Sequence, residues 1–308
     1  MIDVSVVIPS RSDQYLQKTV DDLLAKAESS IEVIVVLDGI WSPVRDDPRV
    51  IVIHHGEVHG NLGMRASINA GMSIARGKYV MKIDEQCAVD QGFDVKLATD
   101  CGDDWVVIPR RYRLEPESWT LIEDGRRPID YMYLAYPYER PYDKTCGLHG
   151  AEDKGRFDER KDVLIDDTMA WQGSCYFMHK SYWDKLIHPL DDVNYGGFTH
   201  EAQEIGNKVW LSGGRLAVNK KTWYAHWHKG KSGKGYGFSN EQYRRHMAGT
   251  ERGRLYCIDY WLHTKDYLHD FEWLLNKFWR VPTWTDNWKQ QIEIDKLKDY
   301  STTYMEKA

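Results

Sequence analysis

Residues 59–87 read HGNLGMRASINAGMSIARGKYVMKIDEQC, and this stretch decides the fold. Gly60 and Gly63 bracket a turn, after which Ala66, Ile68, Ala70, Met72, Ile74 and Ala75 spread small and apolar residues over a helix-length run. Arg76-Gly77 stops that helix, since glycine accepts the left-handed conformation of a C-cap. Residues 79–83 are short and rich in β-formers, and Asp84-Glu85-Gln86 follows at once. Polar side chains therefore stand at the C-terminal end of a strand, the edge at which open α/β sheets bind their ligands. A lone Asp-Glu-Gln is usually a solvated loop, and it is the turn, helix and strand before it that make a candidate site of it.

Outward from this unit the pattern repeats. Residues 4–8 are a buried parallel strand, Pro9-Ser10-Arg11-Ser12 its exit loop, and residues 14–27 an amphipathic helix. Residues 31–37 form a second buried strand ending in Asp38-Gly39, a carboxylate again at the C-terminal edge, although a simple turn also accounts for that pair. Residues 49–53 give a third strand. Strands separated by helical stretches predict an α/β fold with a mostly parallel sheet. Further on, residues 105–108 read as a strand, and residues 110–167, rich in Arg, Tyr and Pro without clear period, as an insertion facing an acceptor or wrapping the sheet edge. Residues 171–178 read as a strand and 180–186 as a helix. Tyr195-Gly196-Gly197-Phe198-Thr199-His200-Glu201 leads into a helix carrying Glu204, Val209 and Trp210, and a strand around 215–218 precedes Trp223-Tyr224-Ala225-His226-Trp227-His228.

Residues 229–237, KGKSGKGYG, are basic and glycine-rich but lack the order and spacing of a Walker loop, and read as a lid whose Lys229 and Lys231 could screen a leaving diphosphate. Beyond residue 240 aromatic and aliphatic residues fall at helical spacing, predicting a helical extension laid on the first domain rather than on a membrane, because acids are interspersed. The division expected is 1–238 for the α/β domain and 239–308 for the extension.

The 308 residues, 42% hydrophobic and 13% aromatic, suffice for a large core. A formal charge of −6 argues against whole-surface binding of nucleic acid, although basic residues concentrate between Lys208 and Arg254. Five cysteines without Cys-x-x-Cys spacing indicate neither a zinc ribbon nor a disulfide framework, so a cytoplasmic location is expected. No apolar run approaches the roughly 18 residues that span a bilayer.

Asn61, Gly63, Ala66, Asn69, Gly71, Gly77, Tyr79 and Asp84 stand in the order seen in GT-A glycosyltransferases of the family-2 type, which the chain resembles over nearly its whole length. Asp84-Glu85-Gln86-Cys87 is similar to the Asp-x-His-Cys variant of polypeptide N-acetylgalactosaminyltransferases and of phage-encoded relatives, with Gln86 in place of histidine. The resemblance implies a GT-A fold with a Rossmann-like, mostly parallel sheet and a C-terminal helical extension. It implies that Pro9 and Arg11 line the base pocket, that Asp38 contacts the base, that Asn61 lies near the donor, and that Asp84, Gln86 and His226 hold Mn2+ or Mg2+. Arg65, one turn into the helix, is expected nearest the diphosphate or base, with an ordinary surface arginine as the alternative. Imidazole with carboxylate oxygen suits Mn2+ better than Ca2+.

Glu201 is then expected to be the general base on an acceptor hydroxyl if the reaction inverts, with Glu204 as alternate; a first-turn acid stabilised by the helix N-terminus is the bland account of Glu201. The function so implied is transfer of a sugar from a nucleotide-diphosphate donor, UDP-linked, to a hydroxyl. Two acceptors are expected: a hydroxymethylated pyrimidine in phage DNA, with Tyr131, Tyr133 and Tyr136 stacking on an extruded base, or a saccharide in surface polysaccharide synthesis. The rivals are a nucleotide-sugar binding module without catalysis, favoured by the missing histidine at Gln86, and a nucleotidyltransferase.

Overall fold

The computed structural model describes residues 2–12, 14–57, 60–136, 147–228 and 240–300. Strands β1 (Val4–Ser10), β2 (Ile31–Asp38), β3 (Val50–His55) and β4 (Tyr79–Ile83) lie parallel in the order β3-β2-β1-β4. The short β5 (Cys87–Val89) pairs with the distant β12 (Arg215–His226). β6 (Trp105–Glu115) runs parallel to β12 and carries the two-residue β7 (Thr120–Leu121) as a hairpin partner. β8 (Met132–Ala135) and β9 (His149–Glu152) form a separate hairpin, β10 (Ile165–Asp167) borders β12, and β11 (Cys175–His179) sits antiparallel between β4 and β6. This is a mixed α/β architecture around one large, mostly parallel sheet. β1, β2, β3, β4, β6 and β12 all point one way, so Arg11, Asp38, Asp84 and His226 come out on the same edge.

The strands are apolar throughout because both faces of the sheet are covered. Val4, Val6 and Ile8 of β1 pack with α1 (Leu16–Lys26) and α3 (Phe93–Thr99), whereas Val7 packs on the opposite face with α2 (Met64–Ile74). β2 divides likewise, Val33, Val35 and Leu37 against Ile34 and Val36. α1 has no side-chain N-cap. It is held by Leu16, Val20 and Leu23, whose burial at about 1.5–3 kcal/mol each outweighs the ~1 kcal/mol of a missing cap. α2 approaches β1 closely at Gly71, where a Cβ would stand 2.5 Å from Val7 Cγ1. The helix thus lies nearer the sheet than any larger residue permits, and it carries the turn at 60–63 to the sheet edge.

Among the described residues of 110–167, β6 runs on to Glu115, and β8, β9, α4 (Lys154–Arg160) and β10 follow. Four expectations need correction. Tyr131, Tyr133 and Tyr136 of this segment are buried in the core rather than offered to a base. Polar partners make that burial possible, Tyr131 donating to Asp166 Oδ2 at 2.9 Å and Tyr136 pairing with the Tyr300 hydroxyl at 3.2 Å. The strand expected over 171–178 begins only at Cys175, and residues 171–174 are a turn at the sheet edge. The helix expected over 180–186 is one turn, α5 (Lys180–Tyr182), continued by a π-turn Trp183–Ile187. β12 is a single twelve-residue strand whose register with β6 shifts between Asn219 and Trp223, so the polar Asn219-Lys220-Lys221 marks a bulge, not an end.

α6 (Glu201–Leu211) covers the α2 face beside β11 and β12. Of the C-terminal helices, α7 (Asn240–His263) and α8 (Phe271–Lys277) lie against α6 and α9 (Trp288–Lys296) against α7, and Trp261, Leu262, Phe271, Leu274, Leu275, Trp288 and Ile292 share one core with α6. The helix breaks at 264–270 and restarts where the Asp270 side chain accepts from Trp273 N. The expected boundary at 238/239 lies outside the described residues. Among the described residues no helix is long and apolar enough to cross a membrane.

Candidate active site

At the β1 exit, Glu85 Oε2 accepts from Arg11 N at 2.8 Å and Ser12 N at 3.3 Å, which pins the loop after Pro9. The Arg11 guanidinium reaches the Asp38 carbonyl at 3.5 Å. Burial pulls its pKa down, against Asp38 and Glu85. Asp38 does not present its carboxylate to a base. Oδ1 accepts from Leu62 N at 2.7 Å and Oδ2 from Gly63 N at 3.0 Å, so both oxygens order the turn before α2. Gly39 is required beside it, since a Cβ there would lie 1.9 Å from Gly60 O. Asn61 is exposed on the same turn.

Arg65 is also corrected. It is wholly buried, pairs with Glu204, donates to Thr199 O at 2.7 and 3.2 Å and to Asp191 O at 3.2 Å, and lies over the Tyr195 ring at 4.2 Å. Glu204 completes the knot by accepting from Lys208 Nζ at 2.7 Å and Asp191 N at 3.2 Å. Both side chains are committed to these buried partners, and together they tie α2 to residues 191–204. Glu204→Gln should therefore destabilise the fold by about 2 kcal/mol, the order of a lost charge-assisted bond, while catalytic rate per folded molecule changes little. Urea unfolding and turnover measured on the same preparation check this, and a rate collapse at unchanged stability would reinstate Glu204 as a base.

Five side chains do converge between β4, β11, α6 and β12. Lys82 Nζ lies 2.7 Å from Asp84 Oδ1, 2.7 Å from Gly173 O and 3.4 Å from Glu201 Oε2. Asp84 Oδ2 lies 3.3 Å from His226 Nε2, and Gln86 Nε2 lies 3.1 Å from the same nitrogen. Lys82 and Glu201 are almost fully buried, at 1% and 3% side-chain exposure, and Asp84 is the open member at 24%. Burial alone would lower the Lys82 pKa, but Asp84 and Glu201 hold it raised; burial likewise opposes, and Lys82 and His226 outweigh it, in holding Asp84 below the carboxylate range. Burial raises Glu201, against the pull of Lys82 and of the buried Tyr176 hydroxyl that faces its carboxylate. His226 is lowered by burial, and His228, whose ring centre lies 4.8 Å from that of His226, is lowered to about 3 by burial and by Arg111.

Glu201 reaches this corner through strained backbone. Gly196 and Gly197 have φ of 68° and 80°, and His200, immediately before α6, has φ 55°. Gly173 supplies clearance, because a Cβ there would stand 3.0 Å from Glu201 Oε2.

The sequence reading missed Lys82, Glu85 and Arg111. A lysine inside the apolar run YVMKI was the available signal for the first. Lys229 and Lys231 lie outside the described residues.

His226, Asp84 and Gln86 could hold a divalent ion. One imidazole nitrogen cannot both donate to Asp84 and accept from the Gln86 amide, and Gln86 Oε1 is buried without a partner. Turning the amide to direct that oxygen at a cation resolves both, so the donor set fits. It is a sparse set: among the described residues no three His, Cys, Asp or Glu gather as a metal group. The remaining ligands would be phosphate oxygens and water.

This architecture, with acids at the C-terminal edge of a mostly parallel sheet that also takes in antiparallel strands such as β11 between β4 and β6, is the GT-A fold. Residues 5–151 match the family model described as Glycosyl transferase family 2. In structure the chain is similar to GalNAc-T7, whose crystal structure was solved with UDP, GalNAc and Mn2+, at 14% identity and a TM-score of 0.55, covering 99% of this chain and 57% of that one. It is also similar to S. aureus TarS, at 13% identity and a TM-score of 0.48, covering 87% of this chain and 41% of that one. The chain thus spans a little over half the length of GalNAc-T7. No curated protein matches the sequence.

Proposed function

We propose that the protein transfers a sugar from a nucleotide-diphosphate donor, UDP-linked, to an acceptor hydroxyl. The observation that carries this is the convergence of Asp84, Lys82, Glu201 and His226 on the ligand edge of a GT-A sheet whose residues 5–151 match glycosyl transferase family 2. Asp84, Gln86 and His226 would hold Mn2+ or Mg2+, and when bound such an ion neutralises the leaving diphosphate as a Lewis acid. Glu201 is the base toward the acceptor and Lys82 fixes its orientation. UDP and Mn2+ are taken as the first pair to test because GalNAc-T7 was solved with both.

For the acceptor, a saccharide hydroxyl is favoured over DNA. The tyrosines required to stack on an extruded base are buried, and much of the basic stretch is neutralised. Lys208 pairs with Glu204, Arg215 with Asp167 and Lys221 with Asp100. A panel of nucleotide sugars, with the released nucleotide identified and label followed onto oligosaccharides and onto hydroxymethylated DNA, tests both levels. Mn2+-dependent release of UDP is expected, with label on saccharide. Pyrophosphate release would make the protein a nucleotidyltransferase, binding without turnover a lectin-like module, and label on hydroxymethylated DNA would reverse the choice of acceptor.

A further inference from the structure

Among the described residues, Arg111 is the one buried arginine that the scheme above leaves without work. It lies on β6 opposite Tyr224 of β12, and is 5% exposed. The other buried arginine, Arg65, is matched to Glu204, and the strand neighbours Arg110 and Arg113 pair with Asp130 at 2.6 Å and Asp124 at 2.9 Å. Arg111 has no such match: among the described residues no carboxylate lies within ion-pair distance of it. Its Nη2 donates to His228 Nε2, a neutral partner, and its buried Nε has no partner. A guanidinium shut away from water without a counter-charge is unfavourable unless an anion completes it. The position is informative as well. His228 stacks edge-on against His226, so the guanidinium stands one ring behind the Asp84–His226 pair.

We infer that Arg111, oriented by His228, is the anchor for a phosphate oxyanion entering the site beside His226. The planar fork suits it, since two parallel N–H groups engage two phosphate oxygens. The phosphate has two sources, the diphosphate of the donor or a phosphate carried by the acceptor; only the choice between them rests on the function proposed above.

The test replaces Arg111 by methionine, which keeps the length of the apolar stem. Calorimetric titrations of full-length protein use pyrophosphate, inorganic phosphate and UDP, and melting temperatures are read with and without each. Wild type should be stabilised by the anions, and Arg111→Met should lose that rise and bind them about tenfold or more weakly, the order of one charge-assisted contact. Its ligand-free melting temperature should equal or exceed that of wild type, because an unmatched buried charge has gone. Losses with UDP and pyrophosphate assign the oxyanion to the donor. A loss with inorganic phosphate alone assigns it to the acceptor. Unchanged affinity for all three overturns the inference, and so does a lowered ligand-free melting temperature with the anion-induced rise intact, the mark of a structural arginine. Should the methionine variant fail to fold, Arg111→Lys keeps the charge but not the fork, and the same losses, smaller, are expected. No donor turnover at all, together with phosphate protection that depends on Arg111, would sink the transferase reading and leave the anion site standing.

Discussion

Asp84→Asn is expected to lower donor turnover by about a thousandfold, the several kcal/mol that charge neutralisation at a leaving diphosphate supplies, while the chain stays folded. Asp84 is the member of the buried cluster that a ligand can reach, at 24% exposure against 1% for Lys82 and 3% for Glu201. An amide of the same shape keeps the contact with the Lys82 ammonium but removes its charge, and Lys82 retains Glu201 at 3.4 Å. The stability lost should be about 2 kcal/mol, the scale of one charge-assisted bond. Three measurements separate the possibilities: nucleotide release, Mn2+ binding by electron paramagnetic resonance, and urea unfolding. Turnover like that of wild type would remove Asp84 from the site. Lost turnover with intact Mn2+ binding would move the ion elsewhere and leave Asp84 as the counter-charge of Lys82.

The parts of this molecule that follow from local pattern were legible in its residues. β4 spans residues 79–83 as read, because an apolar β-rich run closed by acids has few other places to go in an α/β sheet. The family-2 resemblance was equally local, carried by glycines whose small size the packing demands at Gly63 and Gly71. What stayed hidden depends on partners far along the chain. Arg65 occupies a helix position that an exposed or ligand-binding arginine fills equally well, and only Glu204, 139 residues away, decides that it is buried. Asp38 at a strand end is ambiguous between ligand and turn until the N–H groups of Leu62 and Gly63 arrive. The tyrosines near 131–136 have no helical or strand period to betray burial, and the hydroxyls of Tyr131 and Tyr136 are satisfied by Asp166 and Tyr300 from other elements. Lys82 is different. Its strand was read correctly, and an ammonium in the middle of a two-sided buried strand required an acid on the facing element, which is Glu201.

Glu201→Gln should abolish most transfer to acceptor, by roughly 10²- to 10⁴-fold for a general base, and leave acceptor-independent donor hydrolysis and Mn2+ binding within a few-fold. The carboxylate opens α6 after a left-handed His200, is buried, rests Oε2 near Lys82 at 3.4 Å and faces the buried Tyr176 hydroxyl. Burial raises its pKa, with the Asp84 charge adding to the rise against the pull of Lys82 and Arg65. A base must be ionised to act, so transfer should fall off on the acid side at a pH above the ordinary carboxylate range. That limb should be missing from whatever activity Glu201→Gln retains. The competing account treats Glu201 as a first-turn acid stabilised by the helix N-terminus, worth about 0.3–1 kcal/mol. Under it the glutamine variant loses a little stability, transfers sugar at the wild-type rate and keeps its acid limb, and that combination would falsify the base. The amide has nearly the size of the acid and the same neighbours, Gly173 and Lys82, so a large loss of transfer at preserved hydrolysis cannot come from misplaced backbone. It would locate the missing function at the acceptor proton.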